Sequence, residues 1–274
     1  MSELKFSVSM CVYGKDNPDW FDRALYSVIN QTVKPTELVL VVDGPIPNGI
    51  EAVIEKYCQM TDFKVIRFAE NQGHGNARRA GCEGCSYDLI ALMDADDVSV
   101  HDRFEKQLKI FAEQDVDIVG GDISEFIGEE ENEVAYRNVP TTDAEIKEYL
   151  KKRCPFNQQT VMFKKQAVED VGGYIDWYCE EDYYLWIRLA QKGYKMMNTG
   201  TILANVRVGK EMYSRRGGWK YFKSERKLQK YMRKNKIIGF GTYFINVTKR
   251  FIVQVLMPNK LRGWVFKKFA RKKV

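Results

Sequence analysis

The sequence predicts an α/β fold, with a mostly parallel central sheet flanked by helices and a basic helical C-terminal extension. Three observations carry this. Strand-like runs alternate with helix-like segments over roughly the first 120 residues, the pattern of a parallel sheet covered on both faces. The first run, Phe6 to Tyr13, is nearly continuous in apolar residues, as burial on both faces demands. A chain of 274 residues with 45% hydrophobic content can bury a sizeable core, in one large domain or two fused halves.

The elements follow in order. Phe6 to Tyr13 is the first strand. Asn17 and Pro18 open a helix to about Gln31, since Asp16 or Asn17 can cap it and proline suits a first turn. Glu37 to Val42 is the second strand, ended by Asp43-Gly44-Pro45, and Gly49 to Tyr57 is helical. Phe63 to Phe68 is a strand, Gly73 to Gly84 a helix entered through glycines, and Asp88 to Met93 a strand ending at Asp94. Val100 to Glu113 is helical and Val116 to Gly120 a further strand. Ser124 to Tyr136 reads as strands about the acidic turn Gly128 to Glu131. Thr142 to Lys152 is a helix, Thr160 to Phe163 a strand, and Gln166 to Val171 a short helix stopped by Gly172-Gly173. Glu181 to Gln191 is helical, and Tyr194 to Ala204 is one strand or two. Beyond Arg207 the chain is helical and basic, broken at Gly239-Phe240-Gly241 and at Pro258.

Composition excludes several classes. No apolar run reaches the length of about 18 residues that a spanning helix needs, and the N-terminus lacks a signal-peptide pattern. Six scattered cysteines without such a signal point to a reducing compartment and to structural thiols. Cys82-x-x-Cys85 has no second pair to complete a zinc site. The net charge of +6 hides an asymmetry. Residues 207–274 hold 21 Lys/Arg and 2 Asp/Glu, while residues 1–206 hold 22 basic and 35 acidic residues. A basic tail on an acidic body calls for an anionic surface. Its interleaved aromatic and aliphatic residues suit interfacial helices on an anionic membrane. A helical subdomain packed on the sheet is the other reading. No nucleic-acid motif accompanies the charge.

Ligands of such sheets lie beyond the carboxyl ends of the strands, so Asp43 and Asp94 fall on one rim. Asp94-Ala95-Asp96-Asp97 places three mutually repelling carboxylates there. Oxygen ligands of this kind suit Mg²⁺ or Mn²⁺ shared with substrate phosphates; a solvated turn capping the next helix is the alternative. Asp43 can accept hydrogen bonds from a base or ribose, or simply form the Asp-Gly turn. The segment from Asn71 to Arg78 combines glycines, a helix N-terminus and Arg78, a neighbourhood fit for phosphate. Glu180-Glu181-Asp182 either complements a helix dipole or supplies a general base backed by aromatic residues. His74 and His101 read as structural or surface residues, and no Ser-His or Cys-His nucleophile arrangement is evident.

Taken together, VSMCVYGKDNPDWFDRALYSVINQT, ELVLVVDG, NQGHGNARRAG, ALMDADD, VGGY and EEDYYLWIRL, in this order over roughly residues 5 to 205, resemble the family 2 glycosyltransferases. These are inverting enzymes of the nucleotide-diphospho-sugar transferase (GT-A) fold that build bacterial surface polysaccharides. One departure stands out: the family often has D-D-G-S-x-D after its second strand, and here Asp43 stands alone before Gly44-Pro45.

The resemblance implies a catalytic domain over residues 1–206, divided near 120 into donor and acceptor parts, and a basic region over 207–274. It implies Asp43 at the nucleoside, Asp94 at ribose or metal, Arg78 near the phosphates, and Asp96 as ligand of Mn²⁺ or Mg²⁺. Asp182 becomes the base for the acceptor hydroxyl, with Glu181 beside it. The donor expected is a UDP-sugar. The acceptor expected is a glycan or lipid-linked saccharide, at the cytoplasmic face of the cell membrane. Ser214-Arg215-Arg216 is a further candidate phosphate contact. Two rivals remain: a sugar-phosphate nucleotidyltransferase, which would want more glycine after the first strand than Gly14 alone, and a non-catalytic sugar-nucleotide-binding membrane protein.

Overall fold

The computed structural model describes residues 4–59, 62–209, 217–258 and 262. Ser214-Arg215-Arg216 and the aromatic-basic segment after Gly263 lie outside the described residues. The described chain forms a nine-stranded mixed sheet in the order Phe63–Arg67, Glu37–Asp43, Phe6–Tyr13, Leu89–Asp94, Met162–Lys164, Ile118–Phe126, Met196–Arg207, Val98–Ser99, with Glu133–Arg137 also paired to Ile118–Phe126.

The donor-side half is the expected βα alternation. β1 (Phe6–Tyr13), β2 (Glu37–Asp43), β3 (Phe63–Arg67) and β4 (Leu89–Asp94) are all parallel. Between them run α1 (Pro18–Ile29), α2 (Asn48–Tyr57) and α3 (His74–Gly84). Asn17 caps α1, its side-chain oxygen accepting from the amides of Asp19 and Trp20.

Alternation along the strands divides the core. Leu38, Leu40 and Val42 face one side of β2, packing with Phe6, Phe21 and Leu25, while Val39 faces the other with Ile90, Leu92 and Trp186. On that second face α3 lies close to the sheet. A Cβ built on Gly81 would stand 2.3 Å from Ser9 Oγ, so glycine is what permits the approach.

The second half holds β5 (Val98–Ser99), α4 (Arg103–Glu113), β6 (Ile118–Phe126), β7 (Glu133–Arg137) and α5 (Asp143–Leu150). A short 3-10 turn (Gln158–Thr160), β8 (Met162–Lys164), α6 (Lys165–Glu169), α7 (Glu181–Lys192) and β9 (Met196–Arg207) complete it. β8 runs antiparallel between β4 and β6.

Here the sequence reading needs correction. β6 does not stop at Gly120: it continues, fully buried, to Phe126. Gly120 and Gly121 are there for packing, because Phe156 and Leu203 occupy the space their side chains would need. β5 pairs with β9, Val98 opposite Asn205 and Ser99 opposite Ala204, residues more than 100 positions apart, which no local pattern announces.

The basic region is helical as expected, with α8 (Trp219–Lys234), α9 (Phe240–Phe251) and a π-helical turn (Ile252–Leu256). Part of it is a packed subdomain. Leu228, Met232 and Ile238 join the core cluster of Trp186, and Asn246 on α9 donates to the carbonyl of Lys151 at 2.9 Å. Among the described residues, no helix is long and apolar enough to cross a membrane.

Candidate active site

β1 sets the rim. Its pairing puts Tyr13 opposite Asp43 on one side and Cys11 opposite Asp94 on the other, so the two carboxylates end strands that flank β1. The buried Arg103 of α4 donates to the Leu92 carbonyl at 2.8 Å, holding β4 just before Asp94.

Their roles then diverge. Asp43 is buried and serves the start of α3: Oδ1 accepts from the Gln72 amide at 2.7 Å, and Oδ2 from the Gly73 amide at 3.1 Å and Asn71 Nδ2 at 2.9 Å. Gly73, the N-cap of α3, takes a positive φ of 88°, a conformation that glycine adopts without strain. Asp43 therefore shapes the rim, while the large cleft beside it is lined by the other candidates.

That cleft, about 1530 Å³, is lined by Arg78, Asp94, Asp96, Glu181 and Asp182 among others. Asp96 is exposed in it, whereas Asp97 turns inward and accepts from the Arg207 amide at 2.9 Å. Burial, then the charges of Asp96 and Asp94, push the Asp97 pKa well above the usual aspartate value.

Arg78 is buried between the two halves of the site. It donates to Asp94 Oδ1 at 2.8 Å and to His74 Nε2 at 3.1 Å, and His74 Nδ1 lies 3.2 Å from Glu181 Oε1. One chain of polar contacts thus runs from the acidic strand end to the first turn of α7. Burial opposes the charge on Arg78, but Asp94 foremost outweighs it and keeps the guanidinium protonated. Burial likewise works against ionised Glu181, yet His74 and Arg78 hold its pKa below the usual value. His74, read from sequence as structural or surface, is half-exposed in this chain. Its place four residues before Arg78 on one helix face was the signal that could have found it. His101 does belong to the scaffold, with Nδ1 2.8 Å from the Asn30 carbonyl.

Asp182 differs from its neighbours. It makes no ion pair among the described residues; its Oδ1 accepts from the Tyr183 amide at 2.6 Å, and Cys154 Sγ lies 3.9 Å from Oδ2. Burial and the charge of Glu181 raise its pKa from 3.8 to about 6, with Arg78 and Arg137 acting the other way. A carboxylate so placed can take a proton near neutral pH. Glu180, unassigned from sequence, is buried, and burial with Glu225 pushes its pKa well above the usual value.

Sequence reasoning missed the cleft's far wall. Arg137, Lys152, Arg153 and Cys154 line it, as do Tyr221, Glu225, Lys249, Arg250 and Gln254 from the C-terminal helices. Arg250 pairs with Glu225 and donates to the Lys152 carbonyl at 3.1 Å. Cys82 and Cys85 lie buried in the core, away from the cleft, and burial raises the pKa of both thiols. Among the described residues, no group of three or more His, Cys, Asp and Glu is arranged to hold a metal ion.

Comparison with known proteins agrees with this architecture. The chain is 39% identical over 270 residues to an uncharacterised glycosyltransferase of Haemophilus influenzae, covering 98% of this chain and all of the relative. It is 34% identical over 269 residues to an Escherichia coli UDP-Gal:α-D-GlcNAc-diphosphoundecaprenol β-1,3-galactosyltransferase, covering 98% of this chain and 97% of that one. It is 32% identical to the amylovoran biosynthesis glycosyltransferase AmsE of Erwinia amylovora, over 96% of this chain and 98% of the relative.

In fold it resembles Staphylococcus aureus TarS residues 1–349 in complex with UDP-GlcNAc, with a TM-score of 0.68 at 15% identity over 96% of this chain and 79% of that one. It also resembles a Pyrobaculum calidifontis mannosyltransferase in complex with GDP-Man and Mn²⁺, with a TM-score of 0.62 at 14% identity over 95% and 72%. Residues 7–172 match the family described as glycosyl transferase family 2. By that match, and by relatives 39% and 34% identical over nearly the whole chain, the chain belongs to glycosyl transferase family 2.

Proposed function

We propose that this glycosyltransferase moves a sugar from a nucleoside-diphosphate donor, a UDP-sugar, to a hydroxyl of a glycan or lipid-linked saccharide, with inversion, in polysaccharide biosynthesis. The observation that carries the reading is that Asp182 opens on the same cleft as Asp96, makes no ion pair among the described residues, and has a pKa raised to about 6. The Escherichia coli relative, which by its name transfers galactose from UDP-Gal to a diphosphoundecaprenol-linked sugar, supports the donor and acceptor classes.

The residues divide the work. Asp43 shapes the nucleoside end; its Oδ1 accepts from the Gln72 amide and keeps acceptor capacity for a base N–H. Arg78 and the start of α3 face the donor phosphates, and Asp94 is steered by Arg78. Asp96, with Asp94 beside it, would hold Mn²⁺ or Mg²⁺. The donor set fits: hard oxygen ligands, one exposed and one partly so, suit a cation that the diphosphate helps to bind rather than a closed protein cage. Such an ion, when bound, supplies Lewis-acid stabilisation to the departing diphosphate. Asp182 accepts the acceptor hydroxyl's proton as its oxygen bonds to the anomeric carbon from the side opposite the leaving group. A single displacement inverts the configuration and needs no covalent enzyme intermediate.

Residues 1–206 are the catalytic domain in this reading, and 207–274 bring it to the anionic cytoplasmic face of the cell membrane. The exposed Phe240, Phe244, Ile245, Ile252 and Leu256 of the α9 region support that docking. The test is a sugar-nucleotide screen by thermal shift and transfer assay. UDP-sugars with Mn²⁺ should stabilise the protein, chelation should suppress transfer, and Asp96→Asn should abolish the metal's effect. Full activity in excess chelator would remove Asp96 from the cation role.

A further inference from the structure

Resting on the transferase reading above, we propose a second anion site in the cleft. Lys152, Arg153 and Lys249 take the diphosphate of a lipid-linked acceptor, whose hydrocarbon chain lies along the exposed apolar face of α9.

Location comes first. Cys154 Sγ lies 3.9 Å from Asp182 Oδ2, and Lys152 and Arg153 are the two residues before Cys154 in the chain. Arg250 bonds the Lys152 carbonyl, which brings its neighbour Lys249 to the same wall. All three line the cleft.

Charge comes second. The other cleft arginines are engaged: Arg23 with Glu130, Arg78 with Asp94, Arg250 with Glu225, Arg137 with the Cys154 carbonyl and Arg207 with the Gly128 carbonyl. Among the described residues, the side chains of Lys152, Arg153 and Lys249 have neither ion pair nor hydrogen bond. Glu180, Glu181 and Asp182 line the same cleft, so an anionic acceptor needs cations such as these three beside it to approach them. A diphosphate matches them and lets an anionic acceptor approach the carboxylates.

The third observation separates a lipid from a free phosphate. Lys249 lies four residues after Ile245 and three before Ile252, which puts all three on one helix face. Leu256 extends this face downstream, and Phe240 and Phe244, exposed and with rings stacked 6.5 Å apart, lie to one side of it near the start of α9. The cation thus sits along an exposed apolar stripe, at the point where it meets the cleft. An amphiphile with a charged head and a hydrocarbon tail uses both features; a soluble sugar phosphate uses only the cations.

Farnesyl diphosphate is the probe, titrated calorimetrically into the full chain with UDP and Mn²⁺ filling the donor site, beside inorganic pyrophosphate and farnesol. Farnesyl diphosphate should bind about 10-fold more tightly than either fragment. The variant Lys152→Gln/Arg153→Gln/Lys249→Gln should lose that preference, while Lys152→Arg/Lys249→Arg keeps it. Phe244→Ser/Ile252→Ser should weaken farnesyl diphosphate and leave pyrophosphate unchanged. A protein that binds UDP with Mn²⁺ but treats farnesyl diphosphate and pyrophosphate alike, or whose triple glutamine variant binds undiminished, overturns the anion site and leaves the transferase reading standing. Failure to bind UDP with Mn²⁺ overturns both.

Discussion

Replacing Asp182 by asparagine should push activity and stability in opposite directions. The substitution preserves shape and the acceptor for the Tyr183 amide, and removes only the ionisable oxygen. Asp182 is an acid whose folded-state pKa, about 6, lies above its ordinary 3.8. The folded protein therefore holds its proton more tightly than the unfolded chain. Stability falls as pH rises from 3.8 through 6, and the penalty is complete above that window. A pKa of about 6 in place of 3.8 corresponds to about 3 kcal/mol at most.

Asp182→Asn removes the penalty, so urea unfolding at pH 7.5 should show a variant more stable by up to that amount, with the gain vanishing below pH 4. Transfer should fall by about 10²–10⁴-fold, the usual worth of a positioned base, with donor affinity kept. In the parent protein kcat/KM should drop about tenfold per pH unit below pH 6. Transfer within about tenfold of the parent would remove Asp182 from the base role. A variant less stable at pH 7.5 would refute the claim that its charge is held at a cost.

Three further outcomes are expected. Arg78→Ala strands Asp94 and His74 and should destabilise the protein toward the low end of about 3–5 kcal/mol, since Asp94 keeps some contact with solvent; a loss under about 1 kcal/mol in urea titration would mean the pair is dispensable. Gly81→Ala should cost about 1–3 kcal/mol through the clash with Ser9 Oγ, and adding Ser9→Ala should restore most of it; no recovery would locate the strain elsewhere. In vesicle flotation, Phe240→Ser/Phe244→Ser should release the protein from anionic vesicles without lowering its melting temperature, because both side chains are exposed; unchanged flotation would exclude α9 as the contact.

Much of the donor half was legible in the sequence, since it is made of local signals. Apolar runs such as ELVLVV, the Asn17-Pro18 helix start and the glycines before α3 each act over a few residues, and β1–β4 appear where those signals place them. Adjacent strands in a parallel sheet share one carboxyl edge, so Asp43 and Asp94 had to meet at one rim. The acceptor half was less legible. Gly120-Gly121 looks like a strand end when read locally, and only the bulk of Phe156 and Leu203 across the sheet explains it. By composition the basic tail fits interfacial helices or a packed subdomain equally, and only the structure puts Leu228 and Met232 in the core.

The sequence by itself determined the α/β sheet, the acidic rim and the membership in a transferase family, because periodicity, turn chemistry and motif order are written in neighbouring residues. The tertiary structure alone decided that Asp43 braces the α3 start, that His74 and Arg78 link Asp94 to Glu181, and that Lys249 shares a wall with Lys152. Those contacts join residues tens of positions apart. Their partners are fixed by how the helices pack, and such packing leaves no periodic trace in the chain.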